Sequence, residues 1–236
     1  MNKTTVDLSK PTLYAEPDNY IYRIKRKITY RNVLIIISKY ISNEHSKSVL
    51  EIGTGSGFLI SILENTYPKI IFKGLEYDDR LVELTKTKTI KANIIQGNAE
   101  SFDLKQKFNL IVSLQVIEHL YNPEAMIDCV SNHLADDGVF ILTTPNLGCI
   151  SDRIMKDKWH GYRLDHVSLK SRKEWDKLLL EKGFKKIYSG STFFSGIPIL
   201  NKLPLGIINW SLLFFIGSLP WSNGESYIGV FKKNTN

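Results

Sequence analysis

Short apolar runs alternate with longer amphipathic stretches through the middle of the chain. The apolar runs end at glycine or small polar residues, as buried strands do, and the stretches between them have helical spacing. Strands are predicted at residues 48–52, 70–76, from 93, 108–113, 139–144, from 183, and 226–232. This alternation of strand and helix indicates an α/β protein built on a mostly parallel sheet.

The segments between these strands predict helices with recognisable ends. Pro123 suits the first turn of one helix, and Gly183 is placed to stop another. Asp79 is a suitable cap for the helix that follows the second strand. The helices are predicted at residues 33–41, 58–63, 79–89, 123–134 and up to 182.

Three glycines follow the first strand directly, at Gly53, Gly55 and Gly57. A turn without Cβ atoms lets a ligand lie against the main chain. Because a helix begins at Phe58, with Ser56 or Gly57 as its cap, its N-terminal amides point at the same place. A strand, a glycine turn and a helix start together predict a site for a polar or anionic small molecule.

The spacing of the glycines narrows the choice of ligand. The dinucleotide-binding pattern needs glycine at its first, third and sixth positions, and Phe58 occupies the sixth position here. Glu51, just before the turn, disfavours a ligand with several negative charges, and its carboxylate could face an ammonium group. The alternative is a glycine-rich turn in some other α/β protein.

The run Glu-x-Gly-x-Gly-x-Gly at residues 51–57 resembles the first motif of class I methyltransferases that use S-adenosylmethionine. The resemblance extends over residues 48–146 and implies a Rossmann-like, doubly wound, seven-stranded sheet whose last strand is antiparallel. Its implied cofactor is S-adenosylmethionine. The predicted cofactor-binding residues are Glu51, Gly53, Thr54, Gly55, Gly57, Glu76, Asn98, Ala99, Glu100 and Ser113.

Glu76 also has a reason of its own to be in this set. An acidic residue roughly 20 positions past the first glycine of such a turn can accept the ribose hydroxyls of a bound nucleoside. Asp79 is the better helix cap, which leaves Glu76 for the ligand. In the resembling family, Asn98, Ala99 and Glu100 flank the adenine.

The fourth strand delivers Ser113 and the run Ile-Glu-His-Leu at residues 117–120 to the ligand crevice. That run resembles ubiquinone-biosynthesis-type O-methyltransferases and their small-molecule relatives. His119 and the later His166 are the predicted catalytic residues, as proton acceptors or substrate holders. The alternative is that Glu118 and His119 only cap the next helix.

Metal-assisted methylation of RNA is a competing interpretation. Small-RNA 2′-O-methyltransferases hold magnesium with Glu-x-x-Glu-His and a later His, and the matching positions here are Gln115, Glu118, His119 and His166. Gln115 replaces a carboxylate, which weakens a site for a hard cation. No metal is therefore expected, and nucleic acid is not the expected partner.

The chain is predicted to be a single domain of 236 residues. Residues 1–45 would form an N-terminal lid, with Tyr20, Tyr22 and Arg23 over the cofactor; a solvated basic helix is the alternative. Residues 46–146 would form the cofactor-binding core, and residues 147–236 the substrate side and the last strands.

A long uncharged stretch occupies residues 203–221. Its length would allow a membrane span, but Pro204, Asn209 and Pro220 interrupt it, and a strand that the sheet needs follows. We therefore expect a helical insertion over the substrate mouth that binds an apolar acceptor or rests on a bilayer surface. A plain buried helix is the alternative.

Charge and cysteine content add two expectations. The net charge of +7 permits an anionic partner, but the lysines are scattered and carry little information. Cys129 and Cys149 lie in or beside apolar stretches, as reduced thiols of an intracellular protein do. The resulting prediction is a cytoplasmic enzyme that acts on a small-molecule acceptor, with peripheral contact to a membrane left open. The rival is a non-catalytic subunit with a cofactor-binding fold.

Overall fold

The computed structural model describes residues 20–41, 47–193, 197, 202 and 204–234. Its strands are β1 Ser48–Ile52, β2 Ile71–Glu76, β3 Asn93–Gln96, β4 Phe108–Leu114, β5 Leu134–Pro145, β6 Phe184–Thr192, β7 Ser218–Leu219 and β8 Ser226–Lys233. Its α-helices are α1 Tyr20–Ile37, α2 Phe58–Thr66, α3 Asp79–Lys88, α4 Pro123–His133, α5 Ile150–Met155, α6 Arg172–Glu181 and α7 Leu205–Phe215. Short 3-10 turns cover Ile117–His119 and Lys156–Lys158.

One sheet contains all eight strands in the order β3-β2-β1-β4-β5-β8-β6-β7. Strands β1 to β5 run parallel, and β8 lies antiparallel between β5 and β6. Because the order reverses between β1 and β4, a crevice opens where the carboxyl ends of these two strands meet. The predicted parallel sheet with an antiparallel last strand is confirmed.

Helices cover both faces of the sheet, since each central strand is apolar on both sides. On one face, Val33 of α1 and Leu59 of α2 pack against alternate strand residues such as Val112. On the other face, Met126 of α4 and Trp175 of α6 pack against the remaining strand residues. The sheet is therefore doubly wound, as predicted.

Three sequence predictions need correction. Within the described residues the sheet has eight strands where seven are predicted, because the two-residue β7 pairs with β6. The first helix covers Tyr20–Ile37, so it begins earlier and ends before Ile41. The side chain of Asp78, and not that of Asp79, caps α3 by accepting a hydrogen bond from the Arg80 amide.

The apolar insertion before the last strand is also confirmed. Helix α7 and strand β7 lie within residues 204–221, and β8 then returns to the sheet. No helix in the described ranges has the length and apolar character needed to cross a membrane. Residues 1–19 and the side chains of Tyr20, Tyr22 and Arg23, which the sequence predicts as part of an N-terminal lid, lie outside what the structure describes.

Candidate active site

The glycine turn leaves β1 at the carboxyl edge of the sheet, and all three of its glycines have positive φ. At Gly53 (φ +74°) an added Cβ would lie 2.3 Å from Val116 Cγ2, and at Gly57 (φ +75°) it would lie 2.9 Å from Thr85 Cγ2. At Gly55 (φ +53°) nothing lies within 4 Å of the same position. The turn is therefore packed on both flanks and open at its centre, where a ligand could reach the main chain.

Glu76, at the end of β2, holds this turn in place. One carboxylate oxygen accepts a hydrogen bond from the Gly55 amide at 2.7 Å, and the other accepts from the amides of Tyr77 and Asp78 at 2.8 and 3.1 Å. Burial raises the pKa of Glu76, and the three amides oppose that rise. Glu76 does not cap α3, so its carboxylate stays at the crevice.

Glu51 lies one strand away and is less well satisfied. Its side chain is only 3% exposed, and Oε2 has no hydrogen-bond partner. Burial, and then the charge of Glu76, raise its pKa well above the usual range. A cationic group of a ligand would supply the partner that Glu51 lacks.

The turn after β3 meets the crevice from the other side. Asn98 Oδ1 accepts from the Glu100 amide at 2.9 Å, and Ala99 is buried. Glu100 Oε1 accepts from the Asn122 amide at 2.7 Å, so one oxygen of this predicted adenine partner already holds the start of α4.

An open cavity of about 560 Å³ adjoins the turn after β3. Its lining residues are Tyr77, Asp78, Asp79, Arg80, Gln96, Gly97 and Asn98. Of these, the sequence prediction included only Asn98. The sequence does offer a signal for Tyr77, because this large aromatic residue directly follows Glu76 at the predicted end of a strand. In the structure its side chain is 68% exposed.

His119 and His166 come together although they are far apart in the chain. Their ring centroids are 4.8 Å apart at an interplanar angle of 79°. Nδ1 of His119 lies 3.0 Å from the Asp165 carbonyl oxygen, and Nδ1 of His166 lies 2.8 Å from that of Gly161. Since a carbonyl only accepts, each Nδ1 carries the proton, and each neutral ring has its lone pair on Nε2.

Burial lowers the pKa of both histidines below the ordinary 6.5, and the hydrogen bonds to the carbonyls of Asp165 and Gly161 oppose this. The rings are therefore neutral at pH 7. The pair can accept a proton or act as ligands at this pH.

Glu118 lies beside the pair and is fully buried. Neither carboxylate oxygen has a hydrogen-bond partner, and burial raises its pKa to about 8. The Thr144 hydroxyl is near enough to oppose that rise, although its geometry is not that of a hydrogen bond. Asn122 caps α4 by accepting from the Ala125 amide, so Glu118 and His119 do not serve as that cap.

Glu118, His119 and His166 form a cluster that could hold a metal ion. One ligand atom from each lies within 4.8 Å of the others. At the fourth position of the magnesium-binding pattern, Gln115 Nε2 donates to Thr143 Oγ1 at 3.2 Å, and the Gln115 backbone is left-handed at φ +55°. The metal interpretation therefore rests on one carboxylate and two imidazoles, with an amide where the pattern has a second carboxylate.

Unpartnered buried polar atoms collect at this edge of the sheet. They belong to Glu51 at the end of β1, Ser113 in β4, Thr144 in β5 and Glu118 in the turn after β4. Within the described ranges one further residue, Trp175 of α6, has such an atom. Native structures rarely leave buried polar groups unpaired, so this concentration marks a place built for a ligand.

Glu225 lies at the carboxyl edge of the sheet, and the sequence prediction did not include it. It precedes β8, is 1% exposed, and accepts from Ser151 Oγ at 3.0 Å and from Trp159 Nε1 at 2.8 Å. His160 Nδ1 also lies 3.1 Å from it. Glu225 thereby fixes the segment after β5 against β8, and no local sequence pattern indicates contacts over such separations.

Comparison with protein families gives one match over most of the chain. A family model described as a methyltransferase domain matches residues 22–189. A malonyl-[acyl-carrier protein] O-methyltransferase of Bacillus anthracis is 22% identical over 146 residues, which cover 61% of this chain and 54% of that protein. A probable S-adenosylmethionine-dependent methyltransferase of Mycolicibacterium smegmatis is 30% identical over 101 residues, which cover 42% of this chain and 38% of that protein. The chain thus spans about half the length of the curated relatives it matches.

Solved structures share the fold at low sequence identity. A chain from the complex between the Haloferax volcanii Trm112 methyltransferase activator and the putative methyltransferase superposes with a TM-score of 0.67 and 14% identity, covering 91% of this chain and 94% of that chain. The plantazolicin methyltransferase BpumL, solved with a triazolic desmethylPZN analog and SAH, has a TM-score of 0.61 and 15% identity, with 92% of each chain covered. These likenesses support the Rossmann-like architecture.

Proposed function

This chain belongs to the methyltransferase-domain family, the class I S-adenosylmethionine-dependent methyltransferases, and we propose that it methylates an oxygen atom of a small-molecule acceptor. The predicted family, enzyme class and cofactor are thereby confirmed. The acceptor and the roles of individual residues are the proposal.

The concentration of unpartnered buried polar atoms at the carboxyl edge carries this proposal. Glu51, Ser113, Thr144 and Glu118 border one crevice, which also contains the open face of Gly55 and the carboxylate of Glu76. A ligand with an ammonium group, a ribose and an amide-binding carboxylate fits donors and acceptors of these types. Such a ligand is S-adenosylmethionine.

In the proposed arrangement the glycine turn and Glu76 position the cofactor, and Glu51 faces its ammonium group. When bound, the cofactor supplies an electrophilic methyl group. His119 and His166 are neutral because burial lowers both pKa values; one of them accepts the single proton that the acceptor oxygen loses, and the other holds the acceptor. Catalysis then comes chiefly from holding the acceptor oxygen in line, and proton acceptance adds to it.

The acceptor we propose is an apolar, lipid-like or sugar-containing metabolite. The proteins matched in sequence include a malonyl-[acyl-carrier protein] O-methyltransferase, which favours an acceptor oxygen carried on an acyl or other extended apolar group. We further propose a cytoplasmic location, because Cys129 and Cys149 are free thiols, as is usual in reducing compartments.

The test is transfer of a labelled methyl group to panels of acyl, quinol, sugar and RNA acceptors. For the acceptor that reacts, His119→Asn and His166→Asn should lower kcat by about 100-fold or more, because each removes either the base or the group that holds the acceptor. Cofactor affinity should stay unchanged. His133→Asn is the matched control, since His133 is also buried but lies at the end of α4, just before the start of β5, where it contacts the Cys129 carbonyl, the Leu104 amide and Asp103.

No transfer to any acceptor, with intact cofactor binding, would favour the rival view of a non-catalytic subunit. Equal kcat in the wild type and both histidine variants would remove the pair from the chemistry.

A metal-assisted form of the same reaction is a second candidate, because Glu118, His119 and His166 offer a carboxylate and two imidazoles. This donor set suits Mn²⁺, Fe²⁺ or Zn²⁺ better than an all-oxygen site would. Such an ion would bind the acceptor oxygen. Calorimetry with Mn²⁺ should then show binding that Glu118→Gln abolishes, and EDTA should stop turnover; activity that survives EDTA rules this candidate out.

A further inference from the structure

Helix α7 exposes large apolar side chains and buries small and polar ones. The residues that face the protein are small, polar or single apolar ones: Gly206, Asn209 and Leu213. The large apolar residues point outward, and their exposed fractions are 61% for Ile207, 59% for Ile208 and 79% for Phe215. A soluble helix normally does the reverse, so the exposed face of α7 is built to meet an apolar environment.

The neighbouring helix supplies positive charge. Helix α7 packs on α1, where Asn32 donates to the Leu213 carbonyl at 2.8 Å and the Arg31 guanidinium lies 4.0 Å from the centre of the Phe214 ring. Helix α1 contains no acidic residue. Its sequence has the basic residues Arg23, Lys25, Arg26, Lys27 and Arg31, and among these the structure describes the side chain of Arg31.

We propose that the α1–α7 surface docks the protein on an anionic lipid membrane. The outward side chains of α7 would enter the boundary between headgroups and acyl chains, as interfacial apolar residues do. The basic residues of α1 would attract anionic headgroups. This would be peripheral docking, because α7 is only 11 residues long and a span needs about 20.

Charge decides between a bilayer and a second copy of this chain as the occupant. In a symmetric dimer the same patch meets itself, and two α1 helices would then bring like charges together. An anionic bilayer meets the same helix with opposite charge. The proposal does not depend on the methyl acceptor, and it stands or falls separately from the proposed chemistry.

The test is co-sedimentation of the full chain with vesicles of phosphatidylcholine alone and of phosphatidylcholine with phosphatidylglycerol. We expect binding to the anionic vesicles that falls as salt is raised, and little binding to the neutral ones. Ile208→Ser with Phe215→Ser should weaken binding by about tenfold or more, since two buried contacts with lipid are lost.

The matched control is Ile71→Ser with Ile90→Ser, which removes two apolar side chains that are 52% and 80% exposed at the opposite edge of the sheet. Its binding should equal that of the wild type. Thermal melts check that each variant is folded, and the dependence of wild-type binding on lipid charge and salt tests the proposal even if a variant unfolds. Absence of binding, equal binding to neutral vesicles, or a dimer that only the α7 variant dissociates would overturn the proposal.

Discussion

At the scale of single residues, buried carboxylates at the ends of strands have distinct roles. Glu76 accepts three main-chain amides around the glycine turn, whereas Glu51 keeps an oxygen without a partner. A third buried acid, Glu64, accepts the amides of Ile90, Lys91 and Ala92 at 2.6, 3.0 and 2.9 Å. Glu64 therefore resembles Glu76 in its bonding but lies at the amino edge of β3, away from the crevice.

Glu76 and Glu64 therefore give a prediction with its own control. Glu76→Ala should weaken S-adenosylmethionine binding by about 1–3 kcal/mol, because charge-assisted hydrogen bonds to the ribose are lost. Glu64→Ala should lower thermal stability and leave the affinity of the folded protein unchanged. Isothermal calorimetry, with melts as a companion, measures both; equal affinity in Glu76→Ala and the wild type would remove Glu76 from the cofactor site.

The histidine pair sets the dependence of activity on pH. Both pKa values lie below the ordinary 6.5 because the rings are buried. A base must be neutral to act, so its contribution is complete above the lowered pKa and is lost as pH falls through it. The profile of kcat/KM should stay level from pH 8 to below 6.5 before it drops, and an acid limb centred at 6.5 or higher would contradict the assignment.

At the scale of elements, two glycines of the same turn have different roles: Gly57 is needed for packing, and Gly55 leaves room for a ligand. Gly57→Ala combines a left-handed backbone with a contact of 3.1 Å to the Thr85 Cα atom, and the main chain cannot easily move away. Gly55→Ala has the same backbone cost, roughly 1–2 kcal/mol, but its methyl group enters open space.

We therefore expect opposite outcomes from the two alanine variants. Gly57→Ala should lower the melting temperature more, whereas Gly55→Ala should stay folded and bind S-adenosylmethionine at least about tenfold more weakly, because its methyl group occupies the cofactor's path. Melts and calorimetry on both proteins check this. A Gly55→Ala protein with unchanged affinity would show that the ligand does not approach the turn there.

Local patterns in the sequence predict most elements, because strand and helix periodicity and end signals are local properties. Residues 48–52 and 226–232 were placed to within a residue at each end. The cap of α3 was wrong by one position, since Asp78 and Asp79 are chemically equivalent and only the backbone distinguishes them. Strand β7 has two residues and no periodicity, so its pairing with β6 could not be predicted.

Site contacts over long separations were predicted only where the resemblance supplied them. His119 and His166 were paired in this way, and the structure brings them together. Glu225 has no motif around it, and its bonds to Ser151 and Trp159 depend on how β8 inserts beside β5. Gln115 entered through the same resemblance as an argument against a metal; no local pattern predicts its left-handed backbone or its hydrogen bond to Thr143.

At the scale of the whole molecule, chemistry and docking use different parts of one fold. The carboxyl edge of the sheet gathers the glycine turn, the unpartnered acids and the histidine pair. The α1–α7 surface carries the exposed apolar side chains of α7, with Arg31 of α1 against Phe214. An acceptor that comes from a lipid surface would contact both the α1–α7 surface and the crevice. This would explain why the chain inserts an apolar helix before its last strand.

A crystal structure of the protein with S-adenosylhomocysteine tests the central claim most directly. The account predicts density in the crevice, with both ribose hydroxyls on the Glu76 carboxylate, the amino-acid end against the turn at residues 53–57, and the ammonium group facing Glu51. The sulfur should point toward Ser113 and His119. Density elsewhere, or a ribose away from Glu76, would contradict the account.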